Sequence, residues 1–262
     1  MKKTVIVMQL NEIEFREIGR EETKEILLNY HYLQRMPNLS VAFGAFRLDE
    51  LVGVITFGKP ASYTLCNGVA GKGFSSNVYE LNRLYTFDDT PKNLESKFIS
   101  YALKQLKNRN WIIISFADGS MGHSGYVYQA TNWFYIGKSA KRTDEYVGGN
   151  GHHRGASDVH KKFVIRKVRS TKYRYLYICG DKRFKKDVLK ELKYPIIEEY
   201  PKDEVRHYVA GESTDDTLYH KKSREMFLES DFVKDPKKYL SEDEFEYYQK
   251  HYLEIDEELT LF

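Results

Sequence analysis

Residues 78–98 read VYELNRLYTFDDTPKNLESKF, and this stretch decides the fold. Its first ten residues alternate apolar and polar side chains, which predicts a β-strand over residues 78–87. The segment TPKN then predicts a turn, and apolar residues recur at helical spacing over residues 93–108. Residues 111–118, WIIISFAD, form a nearly continuous apolar run, as in a strand that is buried on both faces. The sequence therefore predicts a strand–helix–strand unit within an α/β sheet.

The segments on either side extend this unit into a larger sheet. Two apolar runs, VAFGAFRL and LVGVITFG, are joined at Asp49-Glu50, which predicts a β-hairpin. Further strands are predicted over residues 4–10, 134–137, 161–168 and 173–179, and helices over residues 21–36, 124–132, 182–193, 218–230 and 240–253. The order of elements indicates a mixed α/β fold.

Composition excludes several classes of protein. With 41% hydrophobic and 30% charged residues, the chain resembles an ordinary globular protein. It has no apolar run near the roughly 18 residues that a membrane-spanning helix needs, so no membrane partner is expected. Cys66 and Cys179 are its two cysteines and lie far apart, which argues against a disulfide framework or a structural zinc site and favours a cytoplasmic location.

Charge is unevenly distributed along the chain. Residues 138–193 carry 17 Lys and Arg against six Asp and Glu, while residues 241–262 carry eight acidic residues and one Lys. Interleaved basic and aromatic side chains are typical of phosphate contacts and base stacking, although basic residues also cover ordinary solvated surfaces. We expect residues 1–200 to form one domain whose basic segment 138–193 faces a polyanion such as DNA, and residues 201–262 to form a helical, acidic extension.

Asp118 is a catalytic candidate because of its position in the predicted sheet. It ends the apolar strand 111–118, and ligands of α/β sheets gather beyond the carboxyl ends of strands. An Asp that precedes a glycine is also a common turn residue. The start of helix 93–108 is a candidate anion site, with Asn93 as its N-cap, Ser96 in the first turn and Arg83 on the strand before it.

His31 and Tyr32 lie near the end of the predicted helix 21–36. They are either a partly buried packing pair or a source of general acid–base chemistry. The histidines further along the chain, including His123, His152, His153 and His160, show no helical His-x₃-His pair, so the identity of any metal ligand stays unknown. The polar stretch SAKRTDEYVGGNGHHRGASD, residues 139–158 with four glycines, predicts a long loop.

Several segments together resemble the phage Mom-type DNA modification proteins. The specific features are ELNRL at residues 80–84, the strand-ending Ala-Asp at residues 117–118, and GHxGxxYQAxN at residues 122–132. The similarity keeps its order over most of residues 28–202. The elements over residues 41–137 also resemble the Gcn5-related N-acetyltransferases, although the turn TPKNLESKF lacks the glycines usual in that family. The resemblance implies an N-acetyltransferase-like fold: a mixed, mostly antiparallel sheet flanked by helices, with a helical C-terminal extension.

This resemblance implies a transferase that modifies the N6 amine of adenine in phage DNA and so blocks host restriction enzymes. It implies an acyl-CoA-type cofactor such as acetyl-CoA, and an iron ion has also been associated with the family. By position, the catalytic residues are His31, Tyr32, Asp118 and Tyr128, and the cofactor-binding residues are Arg83 and Ser96, beside Asn93. The expected location is the host cell cytoplasm if the chain is encoded by a phage, and formation of a homodimer stays open.

Two other functions stay open at this point. An N-acyltransferase that acts on a small molecule or a protein amine would share the cofactor site but would not need the basic segment. A DNA-binding module without catalysis would bind DNA but not CoA. The transferred group and the target sequence do not follow from the residues.

Overall fold

The computed structural model describes residues 9–31, 33–119, 123–139, 142–145, 165–169, 172–202 and 219–221, with the single residues 237, 242, 245 and 249. The chain divides into two compact units, Met1–Ser139 with Lys172–Ala210, and Ala140–Thr171 with Gly211–Phe262. The division at residue 200 with a DNA-facing basic segment stays a prediction. Among the described residues, no helix is both long enough and apolar enough to cross a membrane.

The elements follow one another along the chain. The strands are β1 (Ile13–Ile18), β2 (Val41–Arg47), β3 (Glu50–Gly58), β4 (Val78–Thr86), β5 (Trp111–Asp118), β6 (Phe134–Lys138), β7 (Arg142–Glu145), β8 (Ile165–Arg169), β9 (Lys172–Cys179) and β10 (Tyr219–Lys221). The helices are α1 (Arg20–Asn29), α2 (Tyr63–Ala70), α3 (Leu94–Gln105), α4 (Tyr126–Gln129) and α5 (Lys182–Glu191), with 3-10 helices at Leu10–Glu12 and Lys72–Asn77.

The first unit is built on a seven-stranded sheet of order β1-β2-β3-β4-β5-β9-β6. Its neighbouring strands are antiparallel except for β4 and β5, which are parallel and are connected through α3. This arrangement confirms the predicted N-acetyltransferase-like fold, a mixed, mostly antiparallel sheet flanked by helices. In the second unit, β10, β8 and β7 form a separate antiparallel sheet in that order.

The two faces of the large sheet bury different side chains. Because successive residues of a strand point to opposite faces, Ile113 and Ala117 of β5 pack on the side of α3, while Ile112 and Ile114 pack on the side of α2 and α5. Helix α1 covers the same side as α2 and α5, through Leu27 over β2 and β3. We call these sides the α3 face and the α1 face. Each fully buried aliphatic side chain contributes roughly 1.5–3 kcal/mol to folding.

Near the N-terminus and α2, two predictions were wrong in detail and one is not tested by the described residues. The helix predicted over residues 21–36 ends at Asn29, because the N–H of His31 donates to the carbonyl of Ile26 at 3.1 Å and closes the helix. The glycines Gly68, Gly71 and Gly73 indicate a loop from the sequence, but they belong to the end of α2 and the start of a 3-10 helix. The first described strand is β1; most of the strand predicted over residues 4–10 lies outside the described residues.

Two further differences concern the second unit. Part of the predicted loop, Arg142–Glu145, forms β7, and Tyr219–Lys221 forms β10 instead of the start of a helix. In both places the observed strands pair with β8, a long-range contact that local periodicity does not report. Most of the predicted loop and of the predicted helical extension lies outside the described residues.

Gly58 allows the chain before β2 to cross closely over the end of β3. The N–H of Ser40 donates to the carbonyl of Phe57 at 2.8 Å. A Cβ atom at Gly58 would lie 1.7 Å from the carbonyl oxygen of Asn38. A backbone carbonyl cannot move aside as a flexible side chain can, so this position requires glycine.

We expect Gly58→Ala to lower the free energy of unfolding by about 2–4 kcal/mol, because either β3 or the segment at Asn38 must shift. Gly73→Ala is the matched control: a Cβ there meets no atom within 4 Å. The control should change stability by less than about 0.5 kcal/mol. Urea unfolding followed by circular dichroism measures both variants, and equal stabilities would contradict the close approach.

Candidate active site

The central parallel strands separate at one end. Their ladder comprises the pairs Val78–Ile112, Tyr79–Ile113 and Glu80–Ile114. Beyond it, β4 continues along β3 and β5 continues along β9. Ser115 bridges the two strands where they separate, because its hydroxyl donates to the carbonyl of Leu81 at 2.9 Å. We call this separation the β4–β5 opening; strand edges that face each other in this way can offer backbone polar groups to a ligand.

Tyr128 lies at the opening, on the α3 face of the sheet. Its hydroxyl oxygen is 2.8 Å from the hydroxyl of Ser115, and its ring packs against Trp133 and Tyr175, each at a centroid distance of 5.1 Å. Since the single hydrogen of Ser115 is directed to the carbonyl of Leu81, the phenol of Tyr128 is placed to donate to Ser115. The buried hydroxyls thus connect Tyr128 to the backbone of β4.

The GHxGxxYQAxN motif positions α4 against β9. Gly125 has φ 90°, and a Cβ atom there would lie 2.3 Å from the ring of Tyr175. The hydroxyl of Tyr175 donates to the carbonyl of Ser124 at 2.5 Å and accepts from the amide of Gln129 at 3.0 Å. Burial raises the pKa of Tyr175 to about 12, so this phenol stays a neutral donor at neutral pH. The glycine and the glutamine of the motif therefore hold Tyr128 in place.

Asn82 is one residue more in β4 than the neighbouring strand β3 has at this point of the ladder. The register shifts around it, between the pairs Phe57–Leu81 and Thr56–Arg83. The buried hydroxyl of Thr56 donates to the Asn82 side-chain oxygen at 2.6 Å, and the Asn82 amide donates to the carbonyl of Asn38 at 2.8 Å. Such a β-bulge redirects the following side chain, here Arg83. Sequence reasoning missed Asn82, although its place in the ELNRL motif was a signal.

His31 follows α1 and is buried, with 4% of its surface exposed. The N–H of Leu33 donates to its Nδ1 atom at 3.1 Å, so the neutral ring carries its proton on Nε2. Burial, and to a lesser extent the charge of Arg83, lower the pKa of His31 to about 4. At neutral pH the ring is therefore uncharged, and it is better suited to donate a hydrogen bond than to accept a proton.

Asp118 ends β5 directly opposite Lys172 of β9. The two side chains form an ion pair at 2.8 Å, with exposures of 12% and 24%. A neighbouring ammonium favours the ionised carboxylate and fixes its orientation. By strand alternation both side chains lie on the α1 face. Sequence reasoning did not find Lys172, because it lies on a strand distant in sequence and carries no local motif.

His123 follows Asp118 closely and was considered from the sequence only as a metal ligand. Its backbone N–H donates to the carbonyl of Asp118 at 3.2 Å. Desolvation lowers the pKa of His123, and the negative charge of Asp118 opposes that shift. A second uncharged imidazole therefore lies near the Asp118–Lys172 pair at neutral pH.

Helix α3 begins near its predicted position. Asn93 occupies the N-cap position with φ 68°, but its side chain makes no capping hydrogen bond. The hydroxyl of Ser96 donates to the carbonyl of Asn93 at 3.1 Å, and Glu95 accepts from the hydroxyl of Thr86 at 2.9 Å. The first-turn N–H groups and the helix dipole attract anions. This end of α3, with the Ser96 hydroxyl, therefore suits a pyrophosphate, while the Glu95 carboxylate is tied to β4.

The structure brings some of the predicted site residues together. His31 and Arg83 interact electrostatically on the α1 face, and Asp118 ends the other strand of the β4–β5 opening on that same face. Tyr128 approaches the opening from the α3 face. The opening is thus lined from both sides of the sheet.

Other predicted site residues are placed apart or are not described. Asn93 and Ser96 form a separate group at the start of α3. Tyr32 lies outside the described residues. In the part of the chain that the structure describes, no three His, Cys, Asp or Glu side chains are arranged to hold a metal ion. The iron suggested by the resemblance therefore has no ligand set there, and we assign it no step.

A mostly antiparallel sheet whose parallel strands β4 and β5 separate at one end, with helices on both faces, defines an N-acetyltransferase-like protein. Within that class, the chain belongs to the Mom protein family, whose model matches residues 12–202. It is 37% identical over 119 residues to the methylcarbamoylase mom of Escherichia phage Mu. That match covers 44% of this chain and 49% of the phage protein, so the chain spans about half the length of the curated relative.

Solved N-acetyltransferase structures show a more distant similarity. An N-acetyltransferase from Staphylococcus aureus Mu50 has a TM-score of 0.43 and 11% identity, covering 64% of this chain and 99% of that chain. The putative acetyltransferase YncA of Salmonella typhimurium, solved with acetyl-CoA, has a TM-score of 0.42 and 10% identity, covering 65% and 96%. Membership of the Mom family therefore depends on the sequence match.

We expect acid to destabilise the protein through His31. Its pKa falls from 6.5 in the unfolded chain to about 4 in the native state, so below about pH 6.5 the unfolded chain binds more protons. His31 should therefore lower the free energy of unfolding by about 2 kcal/mol between about pH 7.5 and about pH 5. Urea unfolding of the wild type and His31→Gln over this range isolates the contribution of His31. Parallel pH profiles would show that the imidazole titrates normally.

Proposed function

We propose that this protein transfers an acyl-type group from an acyl-CoA cofactor to the N6 amine of adenine in DNA, and so protects phage DNA from host restriction enzymes. The match of residues 12–202 to the Mom family carries the proposal. The name of the phage Mu relative, a methylcarbamoylase, supports a methylcarbamoyl group as the one transferred. The protein would act in the host cytoplasm, where unmodified phage DNA meets restriction enzymes.

The reaction needs a base, because the lone pair of the adenine N6 amine is delocalised into the ring and the amine is a poor nucleophile. In our proposal Asp118 accepts the N6 proton as the new carbon–nitrogen bond forms. Lys172, at 2.8 Å, orients the carboxylate before this step. General base catalysis of this kind typically accelerates a reaction by about 10²–10⁴.

The other residues of the opening would act as hydrogen-bond donors. His31 is neutral at neutral pH, with its proton on Nε2, so it would orient a reacting group rather than remove a proton. The phenol of Tyr128, 2.8 Å from the Ser115 hydroxyl, would turn its hydrogen from Ser115 to the sulfur that leaves. Tyr32, which follows His31 in the chain, remains a catalytic candidate through the resemblance alone.

Acyl-CoA, when bound, supplies an activated acyl carbon. We propose that the first turn of α3 holds its pyrophosphate, through backbone N–H groups and the Ser96 hydroxyl. Arg83 would contribute positive charge from β4, although the structure places it beside His31. The backbone edges of the β4–β5 opening would then receive the acyl end of the molecule.

The DNA substrate imposes one more requirement. The N6 atom of a paired adenine is not accessible to an active site, so the base must be flipped out or met in single-stranded DNA. The basic segment 138–193 would bind phosphates and thus supply the part of the DNA affinity that does not depend on the base sequence. An acyltransferase for a small-molecule amine would not need that segment.

We expect the double variant Arg83→Ala/Ser96→Ala to bind acetyl-CoA roughly tenfold more weakly than the wild type, because charged and hydroxyl donors to phosphate are lost. The matched control is Ser100→Ala/Arg109→Ala, which removes the same groups further along α3 and beyond its end. Isothermal titration calorimetry with acetyl-CoA measures both. If the two double variants lose the same affinity, the cofactor is held elsewhere.

We expect Asp118→Asn to abolish DNA modification while the protein still folds and still binds DNA. Asn keeps the size of the side chain but cannot take a proton from N6, so the rate should fall by about 10²–10⁴. Mass spectrometry of nucleosides from plasmid DNA of expressing cells measures the product. A methylcarbamoyl group adds nitrogen to adenosine and an acetyl group does not, so the same spectrum identifies the group transferred.

Asp49→Asn, in the exposed turn between β2 and β3, is the control for that experiment. It makes the same chemical change away from the opening and should leave modification intact. Full modification by Asp118→Asn would mean that Asp118 only shapes the turn before Gly119, since Asn suits turns equally well. A wild-type protein that leaves adenosine unchanged would refute the proposed function.

A further inference from the structure

Helix α5 has a strongly basic outer face. Residues 182–193 hold six Lys and Arg against two acidic residues. Lys182, Lys186 and Lys190 recur every four residues, which places them on one side of the helix. Lys193 follows the end of the helix and forms an ion pair with Glu191 at 3.8 Å. All four are exposed. They lie close enough to repel one another, so this face favours an anionic partner.

The opposite face of α5 is fixed against the sheet. Val188 is fully buried in the core on the α1 face, and Phe184 makes an edge contact with Phe74 at a centroid distance of 6.0 Å. The helix begins at a defined cap, because Asp181 accepts the N–H of Phe184 at 2.7 Å. The lysines are therefore held outward by a rigid helix.

The basic surface continues from the end of α5 toward Asp118. The ring of Tyr194, next to Lys193, lies under the guanidinium of Arg174 at 3.9 Å. Arg174 and Lys172 are alternate residues of β9 and therefore lie on the same face. Lys172 forms the 2.8 Å ion pair with Asp118. Positive groups thus extend from α5 along β9 to the candidate catalytic carboxylate.

We propose that the outer face of α5, continued by Arg174, binds the phosphate backbone of the DNA next to the adenine that is modified; this inference rests on the proposed function. Lys182 and Lys190 are about 12 Å apart along the helix, a length over which duplex DNA presents roughly seven phosphate charges. Lysines spaced one helical turn apart can therefore contact successive phosphates along the DNA backbone.

A membrane surface is the other common partner of a basic amphipathic helix, and the packing of α5 argues against it. A helix that lies on a bilayer inserts an apolar face between the lipids. The apolar face of α5 is already buried through Val188. Its outer side offers one partly exposed leucine, Leu189, among the lysines. Charge without an available apolar face fits the backbone of DNA.

The test compares two double variants of the full chain. Lys186→Gln/Lys190→Gln removes two cations from the outer face of α5. Lys104→Gln/Lys107→Gln removes two exposed cations at the end of α3, on the opposite face of the sheet. Fluorescence anisotropy with a labelled DNA duplex, over a range of salt concentrations, gives the Kd and its salt dependence. Thermal unfolding confirms that both variants fold.

We expect the α5 variant to reduce the slope of log affinity against log salt by about 1–2, because each phosphate contact contributes about 0.9. Its Kd at about 0.15 M salt should rise roughly tenfold. The α3 variant should keep the wild-type slope. Equal slopes for both variants overturn the proposal, and so does α5-dependent binding to phosphatidylserine vesicles with unchanged DNA binding.

Nucleoside mass spectrometry separates this inference from the proposed function. A wild-type protein that modifies adenine, combined with a normal salt slope in the α5 variant, overturns the α5 surface alone. A wild-type protein that binds DNA through α5 but leaves adenosine unchanged supports the surface and refutes the proposed chemistry.

Discussion

The hydrogen bond from Ser115 to the carbonyl of Leu81 is the interaction on which the rest of the site depends. Two neighbouring strands in the middle of a sheet can separate only if their buried polar groups find other partners, since each unsatisfied group costs about 1–3 kcal/mol. Ser115 supplies one such partner, and Tyr128 extends the network on the α3 face. The bulge at Asn82 then redirects β4 where the strands separate. Ser115 and Tyr128, which satisfy polar groups where β4 and β5 separate, therefore also line the candidate site.

The charged groups on the α1 face determine what this side of the sheet can bind. His31 is buried and neutral, so it adds no charge beside Arg83. The negative charge of Asp118 is compensated by Lys172 at 2.8 Å. Arg174 and the lysines of α5 are further cations on this side of the sheet. A surface of this kind can accept a polyanion without leaving the carboxylate of Asp118 repelled and unpaired.

The central elements were predictable because their sequence signals are local. The β2–β3 hairpin and β5 consist of apolar runs, and α3 has a regular apolar face, so composition and spacing suffice. The end of α1 at Asn29 was not predictable from periodicity, because it depends on where His31 is buried. Nor was the Asp118–Lys172 pair, whose members meet only after β5 and β9 align. Most candidate site residues, such as Asp118 and Ser96, followed from their predicted positions, and Tyr128 followed from the resemblance alone. Their partners Asn82, Ser115 and Lys172 came from the packing of the sheet.

The close approach at Gly58 has a consequence for how this family can diversify. Asn38 accepts a hydrogen bond from Asn82 through the same carbonyl oxygen that a side chain at residue 58 would strike. The shared atom belongs to the main chain, so it persists whatever residue occupies position 38, and the constraint falls on Gly58 and Asn82. A larger residue at position 58 displaces the oxygen that the Asn82 amide needs. We therefore anticipate that Gly58 and Asn82 are inherited together, while the exposed turns around them drift independently.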